Sequence, residues 1–133
     1  MPRGVVELME ITPPAAAGRQ VVQRYGGGGF QISGRMVQGS VLVFPTRTLP
    51  WPVDDASGIT AASLATIVEA AAEVDILLIG CGARSVPLAP GMLQALRAQG
   101  ITTDAMDTGA ACRTFNVLVA EDRRVAAALI AIA

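Results

Sequence analysis

Residues 74–82 read Val74-Asp75-Ile76-Leu77-Leu78-Ile79-Gly80-Cys81-Gly82, and this stretch decides the fold class. A short apolar run rich in branched residues that ends in a glycine turn is typical of a strand buried on both faces of an α/β sheet. In open α/β sheets, ligands bind at the carboxyl ends of such strands. The stretch therefore predicts where a site would lie, although it names no reaction.

The segments around this strand alternate between helical and strand patterns. Apolar spacing and terminal signals predict three helices: one from Thr60, one over 90–100 and one over 108–119. Strand patterns cover 101–106 and 125–130, and continuation of the last helix is the alternative for 125–130. A strand, helix, strand order implies parallel strands joined by a right-handed crossover. We therefore expect the carboxyl ends of the strands 75–79 and 101–106 to lie at the same edge of the sheet, which we call the rim.

The first third of the chain predicts an antiparallel β unit. Residues 20–25 and 30–33 form a hairpin around the glycines 26–29, and a third strand continues through Met36-Val37 and Ser40 to Phe44 until Pro45 ends it. Four glycines also resemble a phosphate-binding loop, but such a loop opens a helix, whereas 30–33 alternates with period two. We thus predict one three-layer α/β domain over residues 20–133 with a mixed central sheet. Residues 1–19 are expected to be a partly ordered tail, and 46–58 a surface loop anchored by Trp51.

Composition excludes several kinds of chemistry. The 133 residues contain no histidine, and all ten basic residues are arginine. A Ser-His-Asp triad, a histidine-bearing metal site, a Schiff base and a P-loop lysine are therefore excluded. The net charge is −1, and no arginine-rich stripe with interleaved aromatics is present, which argues against a nucleic-acid partner. We assign no cofactor and no metal.

Hydropathy predicts a protein without a transmembrane segment. The longest uninterrupted apolar stretch, Val125 to Ala133, is far shorter than a membrane span. Residues 1–18 lack the basic start and apolar core of a secretory signal. We therefore expect a cytoplasmic location.

Two cysteines, Cys81 and Cys112, lie in different predicted elements. In the cytoplasm a structural disulfide between them is not expected, so we treat both as thiols. Cys112 falls in the first turns of the last helix, where the helix dipole and Arg113 are expected to lower the thiol pKa and favour thiolate. The alternative for both cysteines is a small packed side chain.

Ordered motifs from Tyr25 to Ile130 identify a family resemblance. They are Tyr25, the glycine turn with Phe30-Gln31-Ile32, Gly34, Pro45, Trp51, Gly80-Cys81-Gly82-Ala83-Arg84 and Met106-Asp107-Thr108-Gly109-Ala110-Ala111-Cys112-Arg113-Thr114-Phe115-Asn116, followed by Leu118, Glu121, Arg123 and Ala128-Leu129. Their order and spacing resemble domain of unknown function 498, a family whose mitochondrial member is an assembly factor of respiratory complex I. The most specific pieces are the Gly-x-Gly-x-Arg turn and the Asp-Thr-x-x-Ala-x-x-Thr-Phe-Asn-x-Leu segment.

The resemblance implies a compact three-layer domain with an antiparallel unit beside a mixed sheet, and a last strand antiparallel to the others. It also implies no established enzymatic activity, and association with other assembly proteins at the inner membrane. One function is therefore a non-enzymatic assembly protein, cytoplasmic or peripheral to the inner membrane, whose partners are other proteins. An apolar face on so small a domain also makes a homodimer plausible.

The second function is binding of an anionic small molecule, or an unrecognised enzyme activity, at the predicted rim. Main-chain N–H groups of Gly80-Cys81-Gly82 and of the helix start at Thr108 would hold the anion, with Arg84 as counter-charge. The candidate ligand-binding residues are Gly80, Cys81, Gly82, Arg84, Asp107, Thr108, Cys112, Arg113, Thr114 and Asn116. These residues also have a purely structural interpretation. The glycines would only allow close packing, Asp107 and Thr108 would only cap a helix, the arginines would be solvated, and Asn116 would only bond to the main chain.

Overall fold

The computed structural model describes Met9–Glu10 and residues 18–133. Within them the strands are β1 Met9–Glu10, β2 Val22–Gly26, β3 Gly29–Ile32, β4 Arg35–Gln38, β5 Val41–Val43, β6 Thr48–Pro50, β7 Ile76–Gly80, β8 Thr102–Met106 and β9 Val125–Leu129. The helices are α1 Ala65–Glu69, α2 Pro90–Ala98 and α3 Thr108–Ala120, with 3₁₀ turns at Ala56–Gly58, Ala62–Leu64 and Ala71–Glu73. In these described residues, no helix is long and apolar enough to cross a bilayer.

The strands form two sheets. One is antiparallel with the order β1-β2-β3-β4, and the other is mixed with the order β6-β5-β9-β7-β8. Helices alternate with the strands of the mixed sheet, so the predicted α/β class is confirmed. The predicted boundary at residue 19 stays a prediction, although Met9–Glu10 pairs with β2.

The direction of the last strand corrects one expectation. The strand β9 is parallel to β7, which is also parallel to β8, and β9 is antiparallel only to β5. Two helical connections, through α2 and α3, start and end on this parallel set. Because the chain steps from β7 to β8 and then back across β7 to β9, right-handed crossovers put the two helices on opposite faces.

Both faces of the mixed sheet are buried, which explains the uninterrupted apolar run in β7. One core lies under α1, α2 and the segment 51–59, and it includes Leu77 and Ile79. The other core lies under α3 and the four-stranded sheet, and it includes Leu78. The molecule therefore has three layers, with the mixed sheet in the centre.

The glycine-rich segment forms a hairpin tip, as predicted. Gly27 and Gly28 connect β2 to β3 with φ angles of +62° and +84°, and Ser33 and Gly34 connect β3 to β4 with φ angles of +48° and +85°. Two-residue loops with both φ angles positive are type I′ turns, whose twist matches that of the strands they join. The four glycines therefore serve the turn and do not begin a helix.

The expected third strand, through Met36-Val37 and Ser40 to Phe44, is two strands in different sheets. At Gly39 the φ angle of +83° breaks the extended conformation, so β4 ends in the four-stranded sheet and β5 begins in the mixed sheet. Apolar pairs and runs, Met36-Val37 before the break and Val41 to Phe44 after it, both favour strand, so the sequence pattern did not show that the two parts lie in different sheets. Gly39 therefore carries the chain from one layer to the next.

The segment expected to be a surface loop contains the edge strand β6. Trp51 anchors it as predicted, because the ring is buried and Nε1 donates a 2.7 Å hydrogen bond to the Ser63 carbonyl oxygen. The helix expected from Thr60 starts later and is short, with only α1 in α-helical geometry. Thr60 does not cap α1; its hydroxyl accepts a 3.1 Å hydrogen bond from the Ser63 N–H in the preceding 3₁₀ turn.

Candidate functional site

The carboxyl ends of three parallel strands meet at one rim. Gly80 of β7 lies between Met106 of β8 and Leu129 of β9 in the sheet register. The order of the strands reverses around β7, and this is where an open α/β sheet forms a ligand crevice. The structure therefore brings the two predicted segments, Gly80-Cys81-Gly82 and Asp107-Thr108, together at the expected edge.

A buried threonine occupies the centre of the rim. The Thr108 hydroxyl accepts a 2.9 Å hydrogen bond from the Gly82 N–H and donates a 2.7 Å hydrogen bond to the Ile130 carbonyl oxygen. The Thr108 N–H donates to the Gly82 carbonyl oxygen at 2.8 Å. Thr108 thereby joins the three strand ends and fills the position where a ligand was predicted.

Other main-chain donors at the rim are also engaged within the protein. The Cys81 N–H donates to the Met106 carbonyl oxygen at 2.8 Å, and the Ile130 N–H donates to the Gly80 carbonyl oxygen at 3.0 Å. Asp107 caps α3, because its Oδ1 accepts a 2.9 Å hydrogen bond from the Ala110 N–H. The N–H groups of Cys81 and Gly82, on which the anion site was based, therefore already have protein acceptors.

Close packing explains two glycines of the motif segments. A Cβ atom at Gly80 would lie 2.9 Å from the Thr108 Cα and 3.1 Å from a Leu129 methyl carbon. A Cβ atom at Gly109 would overlap the Tyr25 hydroxyl and lie 2.8 Å from Tyr25 Cζ. Both positions need glycine because backbone or ring atoms occupy the space of a side chain. The aromatic ring of Tyr25 also covers the first turn of α3.

Burial reverses the prediction for Cys112. The side chain is fully buried in the core under α3, and this burial raises the pKa of the thiol from 9.0 to about 12. The positive charge of Arg113 lowers the thiol pKa, and the negative charge of Asp107 raises it. Both effects are smaller than the effect of burial. The expectation of a lowered pKa was wrong, because loss of hydration outweighs the helix dipole and the arginine.

The remaining candidate residues point to different surroundings. Arg84 and Arg113 are exposed, and Cys81 packs into the core on the α2 side of the sheet. Thr114 is half-buried, with its Oγ1 3.8 Å from the Met106 sulfur. Asn116 is buried and makes two hydrogen bonds with the main chain of β2. Ligand binding by these residues stays a prediction, and the structural alternative accounts for most of their contacts.

A cleft elsewhere was missed by the sequence reasoning. It has a volume of about 500 Å³ and opens between the four-stranded sheet and the edge strand β6. It is lined by Gln20, Ile32, Ser33, Arg35, Val37, Thr46, Arg47, Thr48, Leu49 and Pro50. These residues come from three separated segments, and of them only Ile32 belongs to the motifs named above, so the division of the chain between two sheets at Gly39 is needed to reveal the cleft.

The protein is a three-layer α/β domain in which the Thr108 side chain fills the rim formed by the strand ends. Residues 22–130 match the family model described as "Protein of unknown function (DUF498/DUF598)". The chain belongs to this family, which confirms the resemblance seen in its motifs.

Relatives of the chain include a named vertebrate protein. NADH dehydrogenase [ubiquinone] 1 alpha subcomplex assembly factor 3 of Danio rerio is 36% identical over 122 residues, covering 92% of this chain and 70% of the relative. An uncharacterised protein of Rhodobacter capsulatus is 37% identical over 117 residues, covering 88% of this chain and 89% of the relative. A crystal structure described as an outer membrane protein from Bartonella henselae is 35% identical with a TM-score of 0.82, covering 87% of this chain and 98% of that one.

Proposed function

We propose that this protein is an assembly factor for respiratory complex I. The observation that carries the proposal is the 36% identity over 92% of the chain to the assembly factor of Danio rerio. Assembly factors with the same name from Homo sapiens and Drosophila melanogaster are 35% and 34% identical to it. Because 92% of the chain is covered, the similarity extends over the whole domain and is not confined to one layer.

The mechanism that we propose is association with other proteins. Its support is the rim, where a ligand of an α/β domain would bind and where the Cys81 and Gly82 N–H groups are engaged inside the protein. The partners would be subunits of complex I or other assembly proteins.

We place the protein in the cytoplasm, peripheral to the inner membrane, because an assembly partner of a membrane-bound complex must reach that surface. Affinity purification from the cells that encode it tests the association. A tagged copy at its native level, recovered from membranes solubilised in a mild detergent, is analysed by quantitative mass spectrometry against an unrelated tagged cytoplasmic protein. Enrichment of complex I subunits or of their assembly proteins is expected. Recovery of the protein without any of them would contradict the mechanism.

A further inference from the structure

The cleft between the two sheets has walls of different chemistry. Ile32 and Val37, on the inner face of the four-stranded sheet, supply apolar surface, and Pro50 of the edge strand β6 adds to it. Ser33, Thr46 and Thr48 contribute hydroxyl groups to the lining. At one end the Gln20 Nε2 donates to the Thr48 hydroxyl at 2.6 Å and to the Phe44 carbonyl oxygen at 3.1 Å, which fixes that end of the cleft.

The charged groups of the cleft leave one positive charge without a partner. Among residues 18–133, Arg35 and Arg47 line it and no Asp or Glu does. Arg47 lies over the Phe44 ring at 4.0 Å and donates to the Glu73 carboxylate at 2.9 and 3.3 Å. The hydrogen bond from Arg47 holds the pKa of Glu73 below its ordinary value, so Glu73 neutralises Arg47 at neutral pH.

Arg35 is the cation that remains. In residues 18–133 the ion pairs of the structure involve other arginines, namely Arg19, Arg47 and Arg124. Two guanidinium groups less one carboxylate leave a net charge of +1 at the cleft, which matches a monoanion better than a phosphate dianion. A guanidinium also pairs with a carboxylate through two parallel hydrogen bonds.

We propose that this cleft binds a small amphipathic monocarboxylate, with the carboxylate on Arg35 and the apolar body against Ile32, Val37 and Pro50. The volume of about 500 Å³ lies within the range of pockets that hold small molecules, roughly 300 to 1,000 Å³. Four of its ten lining residues are apolar and six are polar or charged, a composition that suits an amphipathic ligand better than a purely apolar one. This binding site is independent of the proposed assembly function, so the outcome of the decanoate titration does not depend on whether the protein acts in complex I assembly.

The test uses decanoate as the probe and NMR of the isotopically labelled full chain as the readout. Decanoate is expected to shift the methyl signals of Ile32, Val37 and Leu49 in a saturable manner, while decan-1-ol and decyltrimethylammonium at equal concentration bind more weakly. Arg35→Gln is expected to raise the Kd for decanoate about two- to fivefold, because Arg35 is exposed and solvent weakens an exposed ion pair. Arg35→Lys is expected to retain part of the affinity, because it keeps the charge.

Arg97→Gln is the matched control, since Arg97 is an exposed arginine on α2, which packs on the other face of the mixed sheet. It is expected to leave the Kd unchanged, and the spectrum of each variant shows whether it is folded. Equal shifts from the alcohol and the cation, shifts away from the cleft, or an unchanged Kd in a folded Arg35→Gln variant would overturn the proposal. A response to the peptide acetyl-Leu-Glu-Leu-amide without one to decanoate would also overturn it and assign the cleft to a protein partner.

Discussion

Asn116 and Val22 are joined by two hydrogen bonds of 2.9 Å, although 94 residues separate them in the chain. The Val22 N–H donates to the Asn116 Oδ1, and the Asn116 Nδ2 donates to the Val22 carbonyl oxygen. The register of β2 and β3 shifts between Val22 and Arg24, so the amide binds β2 next to this irregularity. The pair thereby fixes the four-stranded sheet to α3.

Replacement of Asn116 by alanine should destabilise the fold. It leaves the buried N–H and carbonyl of Val22 without partners, which costs about 2 to 4 kcal/mol in the free energy of unfolding. Urea denaturation followed by circular dichroism measures this loss. Val117→Ala, an exposed change at the next position of α3, should cost less than about 0.5 kcal/mol. Equal midpoints for the two variants would contradict the role of the amide.

Thr108→Val should destabilise the protein more than Thr108→Ser does. Valine keeps the shape of threonine but removes the hydroxyl that satisfies the Gly82 N–H and the Ile130 carbonyl, at a cost of about 2 to 4 kcal/mol. Serine keeps the hydroxyl and loses one buried methyl group, at a cost of about 1 kcal/mol. Thermal and urea unfolding of both variants test the order, and a serine variant as unstable as the valine variant would refute the hydroxyl's role at the rim.

Gly109→Ala should be destabilising because the new methyl group meets the ring of Tyr25. Overpacking at a buried position costs about 1 to 3 kcal/mol. The matched control is Gly91→Ala in α2, where a Cβ atom meets nothing within 4 Å and alanine adds up to about 1 kcal/mol of helix stability. In a Tyr25→Leu background the penalty at Gly109 should shrink. If it stays the same, contact with Tyr25 is not its cause.

The buried thiol of Cys112 predicts a loss of stability at high pH. Its pKa is 9.0 without burial and about 12 in the folded protein, so between these values the unfolded chain ionises and the folded one does not. The folded state binds more protons there, and stability therefore falls as pH rises above about 9, by up to roughly 1.4 kcal/mol per pH unit. Urea unfolding from about pH 7 to 10.5 measures the slope. Cys112→Ala should have a shallower slope, and parallel profiles would count against this thiol as its source.

Sequence patterns predicted the parts of the fold that depend on local periodicity. The buried strand β7, the helices α2 and α3 with their terminal residues, the strand β9 and the glycine hairpin tip all follow from spacing and turn chemistry. The meeting of Gly82 with Thr108 also followed, because parallel strands joined by a helix end at one edge.

Features set by long-range contacts were not predictable in this way. The residues before and after Gly39 both favour strand, so β4 and β5 were predicted as one strand. The Thr108 hydroxyl and the Asn116 amide find their acceptors and donors only after the layers pack. The pKa of Cys112 depends on complete burial, which its position near the start of α3 did not indicate.

The level of assembled complex I in cells that lack this protein tests the central claim most directly. Blue-native electrophoresis and NADH oxidation by isolated membranes are compared for the parent, the deletion and the deletion complemented with the wild-type chain. We predict that the deletion lowers fully assembled complex I and accumulates partial complexes, that the other respiratory complexes stay at parental levels, and that complementation restores complex I. Complex I at parental abundance and activity in the deletion would contradict the assignment.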